Sequence, residues 1–315
     1  MKNITNLFHI KYPVVQGGMI WCSGWELASA VSNAGGLGLI GAGSMHPDTL
    51  QEHIRKCKAA TRNSFGVNVP LLYPQTDKIM EILVREGVKI VFTSAGNPKK
   101  YTAFLKEKGI TVVHVVSNKK FALKAQAAGV DAVVAEGFEA GGHNGYEETT
   151  TLVLLQLLQG EMKIPVIAAG GIGSGEAIYA MMALGASGVQ IGSLFAASAE
   201  SSAHKAFKEK IIASCEGETY LSLKQLVPVR LLRNPFFEAV RRLELSGASK
   251  EELATLLGKG RAKKGMFEGD VDEGELEIGQ VAGMIDRIKP AKEIMAELMA
   301  GYRQAAERMA GQNFE

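Results

Sequence analysis

Between residues 14 and 193 the chain repeats one theme: a short apolar run rich in Val and Ile, then a longer stretch whose apolar positions recur at helical spacing. The runs are Val14–Gln16, Leu37–Ile40, Phe65–Val69, Lys89–Phe92, Thr111–Val115, Ala132–Ala135, Pro165–Ala168 and Gly188–Ile191. Runs this short and this apolar predict strands buried on both faces. The stretches between them predict helices over Trp25–Asn33, Pro47–Ala59, Thr76–Glu86, Lys99–Lys108, Lys119–Ala128 and Gly175–Leu184. Gly35, Gly87, Gly109, Gly129 and Gly185 stand just past the helix ends, where glycine takes the left-handed conformation that closes a helix. Pro47 opens its helix at a first-turn position, where a missing N–H costs nothing.

Eight strands alternating with helices require a parallel sheet covered on both sides. Eight units favour closure into a (β/α)8 TIM barrel, although periodicity alone also permits an open doubly wound sheet. After residue 193 the rhythm changes. Residues 197–265 read as a helical insertion or cap, and their charge runs Lys205–Lys210 and Arg241–Arg242 suit a solvated helix face. Residues 266–285 are rich in Gly and Asp, and Lys289–Met309 reads as one amphipathic helix. The expected organisation is a barrel over 1–196, a helical substrate segment over 197–265, and a segment over 266–315 that returns to the barrel.

With 35 basic and 33 acidic residues among 315, the formal charge is +2. Such a balance gives no global field for nucleic acid or an acidic membrane. No apolar run approaches the roughly 18 residues of a membrane helix. The three cysteines, Cys22, Cys57 and Cys215, lack metal-type spacing and cannot all pair. Together with a start that shows no charged region followed by a long apolar core, they give the expectation of reduced thiols in a cytoplasmic protein. Glycine is the informative excess: 36 residues, clustered, against an average near 7%.

The clusters sit where chemistry would be placed. Ala169-Gly170-Gly171-Ile172-Gly173-Ser174-Gly175 follows the seventh strand, and Gly192-Ser193 follows the eighth. In barrels these two turns often hold a phosphate, because glycine lets main-chain N–H groups approach the oxygens and a helix N-terminus adds a positive dipole. Gly36-Leu37-Gly38-Leu39-Ile40-Gly41 also matches a GxGxxG pattern. A dinucleotide fingerprint must follow a strand and open a helix, whereas here a helix precedes and the strand lies inside, which points to tight packing. Gln16-Gly17-Gly18-Met19, Gly66-Val67-Asn68 and Thr93-Ser94-Ala95 end the first, third and fourth strands. Asn68 offers both a donor and an acceptor. The sixth strand leads into Glu136-Gly137-Phe138-Glu139-Ala140-Gly141-Gly142-His143. A glycine-flanked histidine at a strand's carboxyl end is the candidate acid or base. Glu136 suits either a cofactor hydrogen bond or a structural role. Among the other histidines, His114 is the one expected to point inward. No zinc-type cluster, Walker sequence or GxSxG is present, so the chemistry would come mainly from a bound cofactor.

Taken in order over residues 10–195, these motifs resemble the nitronate monooxygenase (2-nitropropane dioxygenase-like) superfamily of FMN-dependent barrels. Gly269-Asp270-Val271-Asp272-Glu273-Gly274 and Gly279-Gln280-Val281-Ala282-Gly283, with Ala135–His143, resemble the enoyl-acyl-carrier-protein reductase II branch; Leu221–Leu257 matches it only loosely. The resemblance implies FMN held by Gly17, Gly18, Met19, Asn68, Gly170, Gly171, Gly192 and Ser193, the last four at its phosphate. Ser94, Glu136, Gly142 and Ala169 complete the expected cofactor set, and His143 is the expected catalytic residue. It further implies NADH or NADPH as co-substrate, an enoyl thioester on acyl carrier protein as substrate, and a homodimer. Basic residues that would meet an acidic carrier are Arg230, Arg233, Arg241, Arg242, Arg261, Lys263 and Lys264. The same motifs serve a monooxygenase in which His143 takes a proton from a nitroalkane. A barrel that binds phosphate ligands without redox chemistry also stays open at this point.

Overall fold

The computed structural model describes residues 3–312. Its strands are β1 (Val14–Gln16), β2 (Gly38–Gly41), β3 (Phe65–Pro70), β4 (Ile90–Ser94), β5 (Thr111–Val116), β6 (Ala132–Glu136), β7 (Gly142–His143), β8 (Val166–Ala169), β9 (Gly188–Ile191), β10 (Thr219–Ser222) and β11 (Val229–Leu232). Its helices are α1 (Ile4–Phe8), α2 (Trp25–Asn33), α3 (Pro47–Ala60), α4 (Thr76–Arg85), α5 (Thr102–Glu107), α6 (Lys119–Ala127), α7 (Thr151–Leu158), α8 (Gly175–Ala183), α9 (Ser193–Ala196), α10 (Lys205–Ile212), α11 (Pro235–Leu245), α12 (Lys250–Leu257) and α13 (Ala291–Ala310).

All eight apolar runs are strands of one parallel sheet, in the order β1-β9-β8-β6-β5-β4-β3-β2. The edges meet. Gln16 N–H donates to Leu37 O at 2.9 Å and Leu37 N–H to Val14 O at 2.9 Å, so β1 bridges to the start of β2. The seam is sealed by the buried Gln16 side chain, whose Oε1 accepts from Leu39 N at 3.0 Å and whose Nε2 donates to Ser23 Oγ at 2.9 Å. The sheet is therefore a (β/α)8 TIM barrel.

Alternation along each strand builds two cores, because successive side chains point to opposite faces. Val15, Leu39, Phe92, Val113, Val134 and Ile167 fill the barrel interior. Their neighbours Val14, Ile40, Val91, Val112, Val133 and Ala168 pack outward against the helices. The short α1, which the sequence pattern did not reveal, closes the amino-terminal end of the barrel. Ile4 and Phe8 join the interior cluster, and the Phe8 ring lies 5.8 Å from that of Phe92. Such fully buried side chains each contribute about 1.5–3 kcal/mol.

The helix-closing glycines behave as expected: Gly35, Gly87, Gly109, Gly129 and Gly185 have φ between +64° and +95°. The GxGxxG stretch is packing. A side chain at Gly38 would fall onto the Ala28 carbonyl of α2.

Residues 197–265 are less helical than the sequence suggests. Between α10 and α11 lie β10 and β11, which pair antiparallel, and β11 also pairs antiparallel with β7. The run Lys205–Lys210 is not wholly solvated either. Lys208 is buried, and its Nζ donates to Ser201 O at 2.7 Å and Ala199 O at 3.3 Å. The long helix at the end, α13, lies against α8, where Gly175 and Gly301 let the two backbones approach. Among the described residues no helix is long and apolar enough to cross a membrane.

Candidate active site

The carboxyl ends of the barrel strands form one mouth, and the sequence-predicted residues converge there. Gly17, Gly18 and Met19 leave β1. Asn68 lies on β3, Ser94 ends β4, Glu136 ends β6, Ala169 ends β8, and Gly192 follows β9. Asn68 is fixed by its amide, which donates from Nδ2 to Gly18 O at 3.2 Å. Gly18 has to be glycine, since a side chain there would collide with the Asn68 side chain. Asn68 Oδ1 has no hydrogen-bond partner among the described residues, so an acceptor is left for a ligand edge.

The two phosphate-type turns stand side by side because β8 pairs with β9. Gly170 and Gly171 have φ of +97° and +69°, values open to glycine but strained for other residues. Among the described residues, the N–H groups of Gly170, Gly171, Gly192 and Ser193 meet no protein acceptor. A Cβ at Gly192 would meet only Met19 Sδ, at 3.5 Å. Thr151 at the start of α7 stiffens this corner: its hydroxyl reaches Ala169 O at 2.7 Å and Gly170 O at 2.9 Å. Its N–H donates to the Glu139 carboxylate at 3.0 and 3.1 Å. Ser193 Oγ accepts from Gly279 N at 3.1 Å, which fastens the returning C-terminal segment to the same corner. Converging unpaired N–H groups in a glycine cradle fit a phosphate, and the apolar Met19 and the amide of Asn68 fit an adjoining ring system.

His143 is exposed on β7, opposite Val229 of β11. Gly142 beside it is buried and paired with Arg230, and Glu277 Oε2 lies over its Cα. Burial pushes the Glu136 carboxyl up to about 7. It has no hydrogen-bond or ion-pair partner among the described residues. His114 does point inward. It is buried, its Nδ1 lies 2.7 Å from Thr93 Oγ1, and burial pulls it down to about 4.

Arg230 is corrected as a docking residue: it is buried. Its Nε and Nη2 donate to Phe138 O at 2.9 and 2.8 Å and its Nη1 to Thr219 O at 3.1 Å, tying β11 to the loop after β6. Arg233, Arg261, Lys263 and Lys264 are held in ion pairs with Glu238, Glu273, Glu268 and Asp270. Arg241 and Arg242 are exposed and in no ion pair among the described residues.

A family model described as nitronate monooxygenase matches residues 1–82 and 72–301. The chain belongs to the nitronate monooxygenase family. Within and around that family its likenesses diverge in activity. The structure is similar to that of FabK from Thermotoga maritima, with a TM-score of 0.93 and 40% identity over 98% of each chain. Among curated proteins it is 31% identical, over 94% of each chain, to (3aS,4S,5R,7aS)-5-hydroxy-7a-methyl-1-oxo-octahydro-1H-indene-4-carboxyl-CoA dehydrogenase of Mycobacterium tuberculosis. It is 30% identical, over 98% of this chain and 97% of the relative, to the nitronate monooxygenase of Paraburkholderia phytofirmans.

Two residues at the mouth escaped the sequence reading: Glu275 and Glu277, from the segment before α13. Glu275 is buried and Glu277 half-buried. Desolvation holds both carboxyls above the ordinary range, and the charge of Glu277 adds to it at Glu275. The signal available in the sequence was weak: two glutamates at a spacing of two within an apolar run, Glu275-Leu276-Glu277-Ile278.

Proposed function

We propose that this chain is an FMN-dependent reductase that uses NADH or NADPH to saturate the trans-2 double bond of enoyl thioesters carried on acyl carrier protein. The observation that carries this reading is the likeness to FabK, an enoyl-acyl-carrier-protein reductase, at 40% identity along 98% of both chains. The two curated relatives named above stand at 31% and 30%. When bound, FMN supplies hydride chemistry between the nicotinamide and the β-carbon of the substrate.

The protein's own residues bind, orient and manage protons. In this reading the N–H groups of Gly170, Gly171, Gly192 and Ser193 hold the phosphate. Gly17, Gly18, Met19, Asn68, Ser94, Glu136, Gly142 and Ala169 surround the ring and ribityl parts. The α9 and α8 starts add positive dipole at the phosphate. His143 at the open side of the mouth orients the thioester carbonyl or gives the α-carbon its proton. Residues 197–265, which supply β11 behind His143, serve as the acyl-facing segment.

An anaerobic mixing experiment tests the reading. NADH or NADPH should bleach the flavin of the purified protein, and a crotonyl thioester should restore the colour. His143→Ala should keep the bleaching and slow the recolouring by about 10²-fold or more, as loss of a general acid does. Bleaching by a nitroalkane but by neither nucleotide would replace the reading with nitronate oxidation. That second reading is favoured by the family model and by the monooxygenase relative matched over 98% of the chain.

A further inference from the structure

The turn that follows β1 is held in a conformation its residues resist. Trp21 has φ of +60°, in the left-handed region that a bulky residue enters only under constraint. Both of its backbone groups are tied. Its N–H donates to Ser44 Oγ at 3.0 Å, and its O accepts from Ser202 Oγ at 2.9 Å. The next carbonyl, that of Cys22, accepts twice, from Ser202 N at 3.0 Å and from Ser201 Oγ at 3.2 Å. Ser23 then returns the chain to Met19: Ser23 N–H donates to Met19 O at 3.1 Å, and Met19 N–H donates to Ser23 Oγ at 3.0 Å. The seat of Met19 beside Gly192 is thus one side of a turn whose other side is held by Ser201 and Ser202.

Those two serines lie in the loop from α9 to α10, and α9 opens with Ser193. Two carbonyls of the loop converge on one ammonium. Lys208 of α10 is 7% exposed, and its Nζ donates to Ser201 O at 2.7 Å and to Ala199 O at 3.3 Å. It forms no ion pair among the described residues. The carboxylate of Glu200, between the two carbonyls in sequence, is engaged at the start of α13, where its Oε2 accepts from Ala291 N at 2.9 Å. A buried ammonium without a carboxylate is costly, and an apolar side chain would fill the same space without that cost. Backbone carbonyls gathered on a compact charge are instead the way a protein holds a free monovalent cation.

We propose that Lys208 is a tethered cation and a positioning residue for the flavin ring: its ammonium gathers the Ala199 and Ser201 carbonyls, which presents Ser201 and Ser202 to the strained Trp21–Cys22 turn and so sets Met19 against the ring. The role rests on the flavin site of the reductase reading, and it is the same for nitronate oxidation, since both use one ring. Lys208 acts through the two serines, not by contact with the ring. A tether is all that separates it from a free ion. Shortening the side chain should therefore leave a cradle that accepts propylammonium, the fragment removed, or ammonium itself.

The test uses the full chain with Lys208→Ala, Lys208→Met and Ser202→Ala, in a Trp25→Phe parent that leaves Trp21 as the sole indole. Flavin affinity and Trp21 emission are measured in sodium buffer, then with propylammonium, ammonium or tetramethylammonium chloride at equal ionic strength. In Lys208→Ala the flavin Kd should rise about tenfold, the scale of one hydrogen bond to a charged group. Trp21 emission should shift to the red as the indole leaves the Phe267 ring, now 5.5 Å away. Propylammonium should reverse most of both changes, and tetramethylammonium, which has no N–H to donate, should reverse neither. Lys208→Met should show the same losses without recovery, because its own side chain fills the cradle. The parent should respond to none of the ions. Ser202→Ala should weaken flavin binding in the same direction, and combining it with Lys208→Met should cost little more than either alone.

Parent-like flavin affinity and emission in Lys208→Met would overturn the proposal. So would a loss in Lys208→Ala that neither propylammonium nor ammonium recovers while thermal melts stay cooperative. If the Lys208 variants do not fold, Ser202→Ala decides, and unchanged affinity and emission there sink the idea. If the parent binds no flavin, the flavin reading fails by itself, and the response of Trp21 emission to propylammonium in Lys208→Ala still decides whether Lys208 holds the turn.

Discussion

At the scale of single residues, the mouth of this barrel is defined by groups left without partners. Glu136 is the clearest. Burial raises its carboxyl to about 7, so in the folded protein it keeps a proton that the unfolded chain has already released near the ordinary carboxylate value. Stability from this group is fully present below the ordinary value and is lost as pH rises through about 7. Thermal melts between about pH 5 and pH 8 should therefore show a falling Tm, and Glu136→Gln should flatten that fall. A variant as pH-dependent as the wild type would show that the carboxyl is not desolvated. Much at this scale was legible in the sequence: His143 by its glycine flanks, and Gly170 and Gly171 by the cluster they belong to. Glu275 and Glu277 were not, because a glutamate in an extended run means nothing until the fold shows which strand edge it joins.

Among the elements, the ones that follow a period were readable and the ones that do not were missed. The outer helices α2, α3 and α4 have an apolar stripe and a punctuating residue at one end: Gly35 after α2, Pro47 opening α3 and Gly87 after α4. The segment α7 is apolar all round, with Leu152, Val153 and Leu157 exposed, and so carries no stripe to read. The two residues of β7 and the five of α1 are too short for any period. What makes β7 an element is its partner β11, and what fixes β11 is Arg230. Its guanidinium bonds to Phe138 O and stacks over the Phe138 ring at 5.1 Å. Arg230→Met should cost about 1.5–3 kcal/mol, the range for a hydrogen bond to a charged group, read as a shift in the denaturant midpoint. It should also lower activity, since β7 loses its backing. Full activity with full stability would remove Arg230 from the support of His143.

For the molecule as a whole, the alternation of strands and helices predicts a parallel sheet covered on both faces, and the count of eight favours closure, while the closure itself is seen only in the bonds between β1 and the start of β2. The extra segment after β9 was legible as a change of rhythm, but its hairpin was not: Thr219–Ser222 and Val229–Leu232 interrupt a region whose charge runs point to helices. On α11, Arg241 and Arg242 are exposed and in no ion pair among the described residues. If an acidic carrier docks there, Arg241→Glu with Arg242→Glu should raise KM for carrier-linked substrate and leave a small soluble thioester unaffected. The effect should weaken in high salt, because exposed charges are screened. Equal KM values for carrier-linked substrate in variant and wild type would place the docking surface elsewhere.

The bond from Gly279 N to Ser193 Oγ, and the seat of Glu277 over Gly142, join the last fifth of the chain to the turns of the barrel. A ribosome making this protein finishes all eight barrel strands well before it reaches residue 275. For that interval the emerging chain holds a closed or closing barrel with an unfinished mouth, the turn after β9 untethered and Gly142 without the Glu277 carboxyl above it. If the proposed flavin site is the right one, flavin capture would wait for this segment, and a chain ended before residue 275 would retain flavin poorly.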